Sequence, residues 1–332
     1  MANSSRLRIA PIDVALVVCF ATLCLSGTRA ADTPTNAGST GEVTPVADDT
    51  RYDLVYKLKT GEVLRYTVDH RAAVRSTIDD TTQEAQTKTE SVKAWKVTDV
   101  LPSGEIEFMN VVERVHMLNQ LPDRAATEYD SQRHRTPPPG YEDAARAIGV
   151  PLSVVRITPR GKVVSRKVKI QQSAAEHDAQ IVLRLPEEPV AVGATWDEPF
   201  DLTVELADGG TKAIQTRRHH KLAGVATGIA TIEVTYQVLS PIDAQIEAQL
   251  VQRLMKGTVR FDVEKGRIAS QRFEVDKRVL GFAGPTSSMH YVMSMEEKLV
   301  ETPRTTARRP SRPRKSSTRS ATRSFGKPTY SR

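Results

Sequence analysis

The chain of 332 residues has only two cysteines, Cys19 and Cys24, and both fall near its start. Everything after Leu25 is therefore without disulfides and without thiol chemistry, and must hold itself together through an apolar core. Aromatic residues are few, at 5% of the chain. After Leu25 no apolar run approaches the roughly 20 residues a membrane-crossing helix needs. Several sequence patterns that carry chemistry are also missing: G-x-S-x-G, H-E-x-x-H, the phosphate-binding Walker A loop and the EF-hand. No pair of carboxylates stands out as an acid–base couple. The sequence implies no cofactor and no metal, and it points to a non-enzymatic protein.

What is present first concerns the ends. Arg6 and Arg8 precede an apolar run of 12 residues, Val14 to Leu25, and Thr28-Arg29-Ala30 offers small residues around a cleavage point. The run is too short to span a bilayer, so residues 1–30 are expected to be a cleaved signal peptide, sending the protein to the periplasm or outside the cell. Val18 and Leu23, which precede the two cysteines, are not the small residues lipid attachment requires. Residues 31–50 are rich in Thr, Gly, Pro and Asp without apolar periodicity, and are expected to be a disordered linker. The formal net charge is +7, yet residues 302–332 carry ten Lys/Arg and no acid. Between the two ends, residues 31–301 hold 34 basic and 39 acidic groups, so the body is mildly acidic.

The body is patterned for sheet. Phe200, Leu202, Val204 and Leu206 alternate with Asp201, Thr203 and Glu205; Ile232, Val234, Tyr236 and Val238 alternate with Glu233, Thr235 and Gln237. A period of two buries one face and wets the other. Asp208-Gly209-Gly210 suits a tight hairpin between them. The same alternation starts at Tyr52, Leu54, Tyr56 and Leu58, continues after a turn at residues 59–62 through Leu64, Tyr66 and Val68, and reappears over 86–100. In 106–118 both faces carry apolar residues, which implies either cover on two sides or a bulge. Asp79-Asp80 marks a hairpin tip.

Short helices are expected with Glu142 and Asp143 in the first turn, ended by Gly149 and Pro151, and from Ser240-Pro241, with Ile246, Leu250 and Leu254 along one side and Gly257 as the stop. Hairpins follow each, with related turns at Pro159-Arg160-Gly161 and Glu264-Lys265-Gly266. The fold class is therefore mainly β with a few short helices: a large antiparallel curved sheet or half-open barrel. Its order, meander then helix then hairpin, occurs twice, in a first half at 51–185 and a second at 186–300, as a duplicated unit would.

Two phrases, LPEEPVAVGATW (Leu185 to Trp196) and GTVRFDVEKGRIASQ (Gly257 to Gln271), resemble those of an uncharacterised family of exported bacterial β-rich proteins. The resemblance covers roughly residues 51–300 and implies a half-open barrel similar to periplasmic lipoprotein carriers. It brings no catalytic residues. The family's phrase has Asp after its glycine, where this chain has Ala194.

The candidate sites are few. Met289, Tyr291, Met293 and Met295 share one face of the last strand, as core packing or as the wall of a pocket for an apolar, lipid-like ligand, since methionine adapts to varied shapes. Arg217-Arg218-His219-His220-Lys221 is expected to be a solvated basic strand, because adjacent residues face opposite ways and the two histidines cannot chelate one metal. His70, His116, His134, His177 and His290 are scattered and are expected on the surface or in satisfied positions. Trp95 and Trp196 are expected in the core.

The tail, 301–332, is disordered by composition. Arg308, Arg309, Arg312, Arg314 and Lys315 are candidate anion contacts, each worth roughly 1 kcal/mol near an anionic surface. The partners implied are an anionic envelope polymer or a membrane surface. Without spaced aromatics, no specific nucleic acid is implied.

Overall fold

The computed structural model describes residues 50–170, 182–206 and 209–300. The expected signal peptide, almost all of the linker, the basic tail with Arg308, Arg309, Arg312, Arg314 and Lys315, His177 and the turn residue Asp208 lie outside the described residues.

Twelve strands form one antiparallel sheet that does not close into a barrel. They are β1 (Val63–Ile78), β2 (Thr81–Val100), β3 (Ile106–Gln120), β4 (Thr127–Asp130), β5 (Pro151–Ile157), β6 (Val163–Val168), β7 (Thr195–Glu205), β8 (Thr211–Ala226), β9 (Ile229–Val238), β10 (Lys256–Asp262), β11 (Arg267–Leu280) and β12 (Ser288–Leu299). Their order across the sheet is β6-β5-β3-β2-β1-β12-β11-β10-β9-β8-β7, with β4 pairing β3 off this path. Two meanders are thus joined through the first strand and the last, where Tyr66 stands opposite Leu299 and Thr77 opposite Ser288. A short helix follows the third long strand of each meander: α1 (Glu142–Ala147) and α2 (Ala244–Leu250).

One face of the sheet is apolar and the sheet curls around it. Trp95 and Phe108 from β2 and β3 share a core with Leu222, Ile232 and Phe261 from β8, β9 and β10. Trp95 stacks on Phe108 with ring centroids 4.7 Å apart, and Tyr56 meets Phe261 edge-on at 5.4 Å. Such ring pairs contribute about 0.5–1.5 kcal/mol beyond the area they bury. The β1–β2 hairpin turns on Asp79 and Asp80, both with positive φ (47° and 61°), which matches the twist of the flanking strands. The ambiguity over residues 106–118 resolves as bulges. The register with β2 shifts between Val92 and Lys93, and the register with β5 shifts between Asn110 and Val111.

Three local expectations change. Residues 52–58 are not a sheet strand but an extended arm, with Leu54, Tyr56 and Leu58 buried in the core. Tyr56 N donates to Pro159 O (2.8 Å) and Lys57 N to Gly266 O (3.0 Å), so the arm crosses both related turns. The arm explains the glycine in the second turn, since a Cβ on Gly266 would lie only 2.4 Å from Lys57 N; at Gly161 the close neighbour is Leu183 O, 2.3 Å from where a Cβ would stand. Second, α2 begins at Ala244 and not at Pro241. Asp243 is its N-cap, its Oδ1 accepting from Ile246 N at 2.9 Å, whereas Ser240 Oγ accepts from Gln215 N. Third, Gly257 does not end the helix. It lies in β10 opposite Phe273, whose ring occupies the space a side chain would need.

Candidate functional site

The alternation that fills the inner face leaves the odd-numbered residues of β1, with their cross-strand partners, on the wet face. Pairing aligns these into rows across β3, β2, β1 and β12. One row runs Gln120, Gln86, Ala73, Val292 and the next Leu118, Lys88, Arg71, Ser294. A third runs His116, Glu90, Asp69, Glu296. Rows are two residues apart along each strand, about 7 Å.

Two adjacent recesses lie over these rows. One of about 320 Å³ is bordered by Ala73, Leu118 and Val292, with Arg71 and Lys88 as its only charged residues. The other, about 440 Å³, is polar: Asp69, Glu90, Asp130 and Glu296 face Arg114 and Lys298, with His116 among them. Together they form a furrow that changes along the strands from an uncharged row, where Gln86 and Gln120 flank Ala73 and Val292, to a cationic row and then to an acidic one. Leu118 and Val292, 39% and 40% exposed, border the first recess on this wet face.

The charges are held by short contacts. Lys88 Nζ lies 2.6 Å from Glu90 Oε1, and Lys298 Nζ 2.8 Å from Glu296 Oε1. Arg71 grips both oxygens of Asp69 at 2.9 and 3.0 Å. His116 bridges two carboxylates, Nδ1 to Glu90 at 3.3 Å and Nε2 to Glu128 at 2.8 Å. Lys88 and then His116 hold the Glu90 carboxyl below its ordinary range, and Arg71 does the same for Asp69. Asp130 is lowered by the backbone N–H of Gln132 and by Arg133. These groups are fixed anions at neutral pH.

The Met stripe lies on the other face of the same strand. Tyr291 and Met293 are buried with Val251, Val275 and Val279, and Met289 and Met295 pack against them beside Ala244 and Ala248 of α2. The basic run on β8 divides by face. Arg217 and His219 point outward to Asp197, at 3.0 and 2.7 Å. Arg218 and His220 point inward and are fully buried, so the expectation of a solvated strand holds for one face only. Arg218 is 1% exposed, 3.0 Å from Glu198, and its guanidinium lies 4.3 Å from the centre of the Phe200 ring. His220 stacks on Trp196 at 5.3 Å. Burial pushes the pKa of His220, and likewise of His70, down to about 4. His134 Nδ1 accepts from Asp130 N, and His290 pairs with Asp276.

No protein-family model matches the chain, and no curated protein matches its sequence. Solved structures give distant likenesses. A structure titled for lipid–protein interactions in lipovitellin is 11% identical, with a TM-score of 0.40 over 74% of this chain. This chain spans only 26% of that protein's length. DynF of the dynemicin biosynthesis pathway of Micromonospora chersina is 6% identical, with a TM-score of 0.20 over 81% of this chain and 94% of its own. A DUF1329 family protein from Desulfovibrio piger is 13% identical, with a TM-score of 0.15 over 71% of this chain and 85% of its own. At these scores function must be argued from the residues.

Among the described residues no group of three or more His, Asp or Glu is arranged to hold a metal ion. The furrow can accommodate an apolar group beside charged ones. It escaped the sequence reading because its rows come from four strands, and only the register brings Leu118 and Val292 within reach of Ala73.

Proposed function

We propose that this is an exported, non-enzymatic binding protein that holds an apolar, lipid-like molecule in the furrow. The observation that carries the reading is the recess of about 320 Å³ bordered by Ala73, Leu118 and Val292. Its size is at the lower end of small-molecule sites, and Ala73, Leu118 and Val292 give it an apolar patch ringed by Gln86, Gln120, Arg71 and Lys88. The resemblance of two sequence phrases to exported β-rich proteins with carrier-like half-barrels points the same way. Support for a non-enzymatic role comes from the sequence, in which no catalytic motif occurs.

Titration with a fluorescent fatty acid tests this. The intact chain should show saturable uptake, and Leu118→Glu or Val292→Glu should abolish it while leaving the circular dichroism unchanged, since both side chains are already in contact with water. Absence of uptake, or uptake indifferent to both substitutions, would remove the reading.

A further inference from the structure

We infer that the furrow selects a membrane phospholipid with a zwitterionic, primary-amine head group: an acyl chain over Ala73, Leu118 and Val292, the phosphate at Arg71 and Lys88, and the ammonium on the acidic row. The inference rests on the reading of the furrow as an apolar binding site and adds the identity of the head.

The argument comes from the order of the rows. Side chains directly opposite each other on antiparallel strands are neighbours, and like charges there are destabilising. Here Glu90 stands opposite Asp69, and Asp69 opposite Glu296, three carboxylates side by side on adjacent strands. One row along, Lys88 stands opposite Arg71. A sheet face selected for stability alone would alternate these signs across the strands. Placing one sign per row sets like charges side by side twice, each compensated by the row beside it through Arg71–Asp69, Lys88–Glu90 and Lys298–Glu296, so that the face presents a band of cations next to a band of acids.

The rows also stand in the right sequence. From Ala73 and Val292 the furrow passes through two cations without an acid, then to four carboxylates against two cations, Arg114 and Lys298. Arg272, opposite Glu296 on β11, closes the acidic row. Chain, phosphate and ammonium follow one another in the same order in the lipid. The resident pairs, Lys88–Glu90 and Arg71–Asp69, do not prevent this. Their side chains are 36–60% exposed, and such pairs are worth about 0–1 kcal/mol, so a ligand's own charges can replace them. A primary ammonium brings three N–H donors to the carboxylates, which a quaternary ammonium lacks.

Short-chain phospholipids of identical acyl length, differing only in the head, provide the test by calorimetry on the full chain. The ethanolamine lipid should bind about tenfold more tightly than the glycerol or choline lipid. Asp69→Asn with Glu296→Gln should erase that preference while fatty-acid uptake persists. Lys88→Gln with Arg71→Gln should weaken all three phospholipids together. Equal binding of the three heads, or a preference that survives loss of Asp69 and Glu296, would overturn the inference while leaving the apolar site in place. Failure of fatty-acid uptake itself would remove the underlying reading instead.

Discussion

Lys93 Nζ lies 2.5 Å from Glu297 Oε2, reaching from β2 over β1 to β12 on the inner face. The carboxylate is 2% exposed and its Oε2 also accepts from Gln271 Nε2 at 2.8 Å. Two ions removed from water gain little net stability as a pair, but stranding one of them is costly. Lys93→Met should therefore destabilise the protein by about 3–5 kcal/mol in urea unfolding. Adding Glu297→Leu to that variant should restore most of the loss. A single variant as stable as the parent would mean that the carboxylate finds water.

Stability should fall as pH drops from about 6.5 toward 4. His70 and His220 are neutral in the folded protein, with pKa values of about 4 because burial disfavours the charged form. Their unfolded pKa is about 6.5, so between these values the unfolded chain binds the protons and gains. Each histidine accounts for roughly 3 kcal/mol across that window, and above pH 6.5 neither contributes a slope. His220→Phe, which can keep the stack on Trp196, should halve the slope of unfolding free energy against pH in this range. The lowered carboxylates Asp69, Glu90 and Asp130 act at lower pH, where they lose their charge.

Gly266→Ala should loosen the arm at 52–58. The new methyl would meet Lys57 N at 2.4 Å and Lys57 Cβ at 2.6 Å, at a φ of +60° that disfavours a side chain. A loss of roughly 1–3 kcal/mol is expected. Hydrogen exchange should show it first at Tyr56 and Lys57, whose N–H groups donate to Pro159 and Gly266.

Met293→Ala should cost about 2–5 kcal/mol, because the side chain is buried beneath Val251 and beside Val275. Asp243→Ala, which removes the cap of α2, should cost about 1 kcal/mol. Thermal unfolding followed by circular dichroism measures both. A Met293→Ala protein of unchanged melting temperature would show that the stripe is not packed in solution.

Much of the sheet was legible in the sequence because alternation is a local signal. Val204, Ile232 and Val234 lie on the buried face that their spacing implies. Residues 52–58 carry the same alternation yet pair with turns and not with a strand, since period two specifies extended backbone and not its partner. On β8 the charges of Arg218 and His220 argued for water, but alternation carries them inward, where Phe200 and Trp196 provide flat faces for them. For the furrow, the decisive facts are which residues stand opposite one another. The sequence holds Asp69, Glu90 and Glu296 far apart, and only long-range register makes them neighbours.

The seam between β1 and β12 imposes an order in time. Tyr66 waits for Leu299, so a chain that emerges amino-terminus first can assemble each meander alone but cannot unite them until almost all of the body has appeared. Until then both β1 and β11 present an unpaired border, ready to join another chain. Crossing that interval without a helper strand should be the slow and hazardous stage of its maturation.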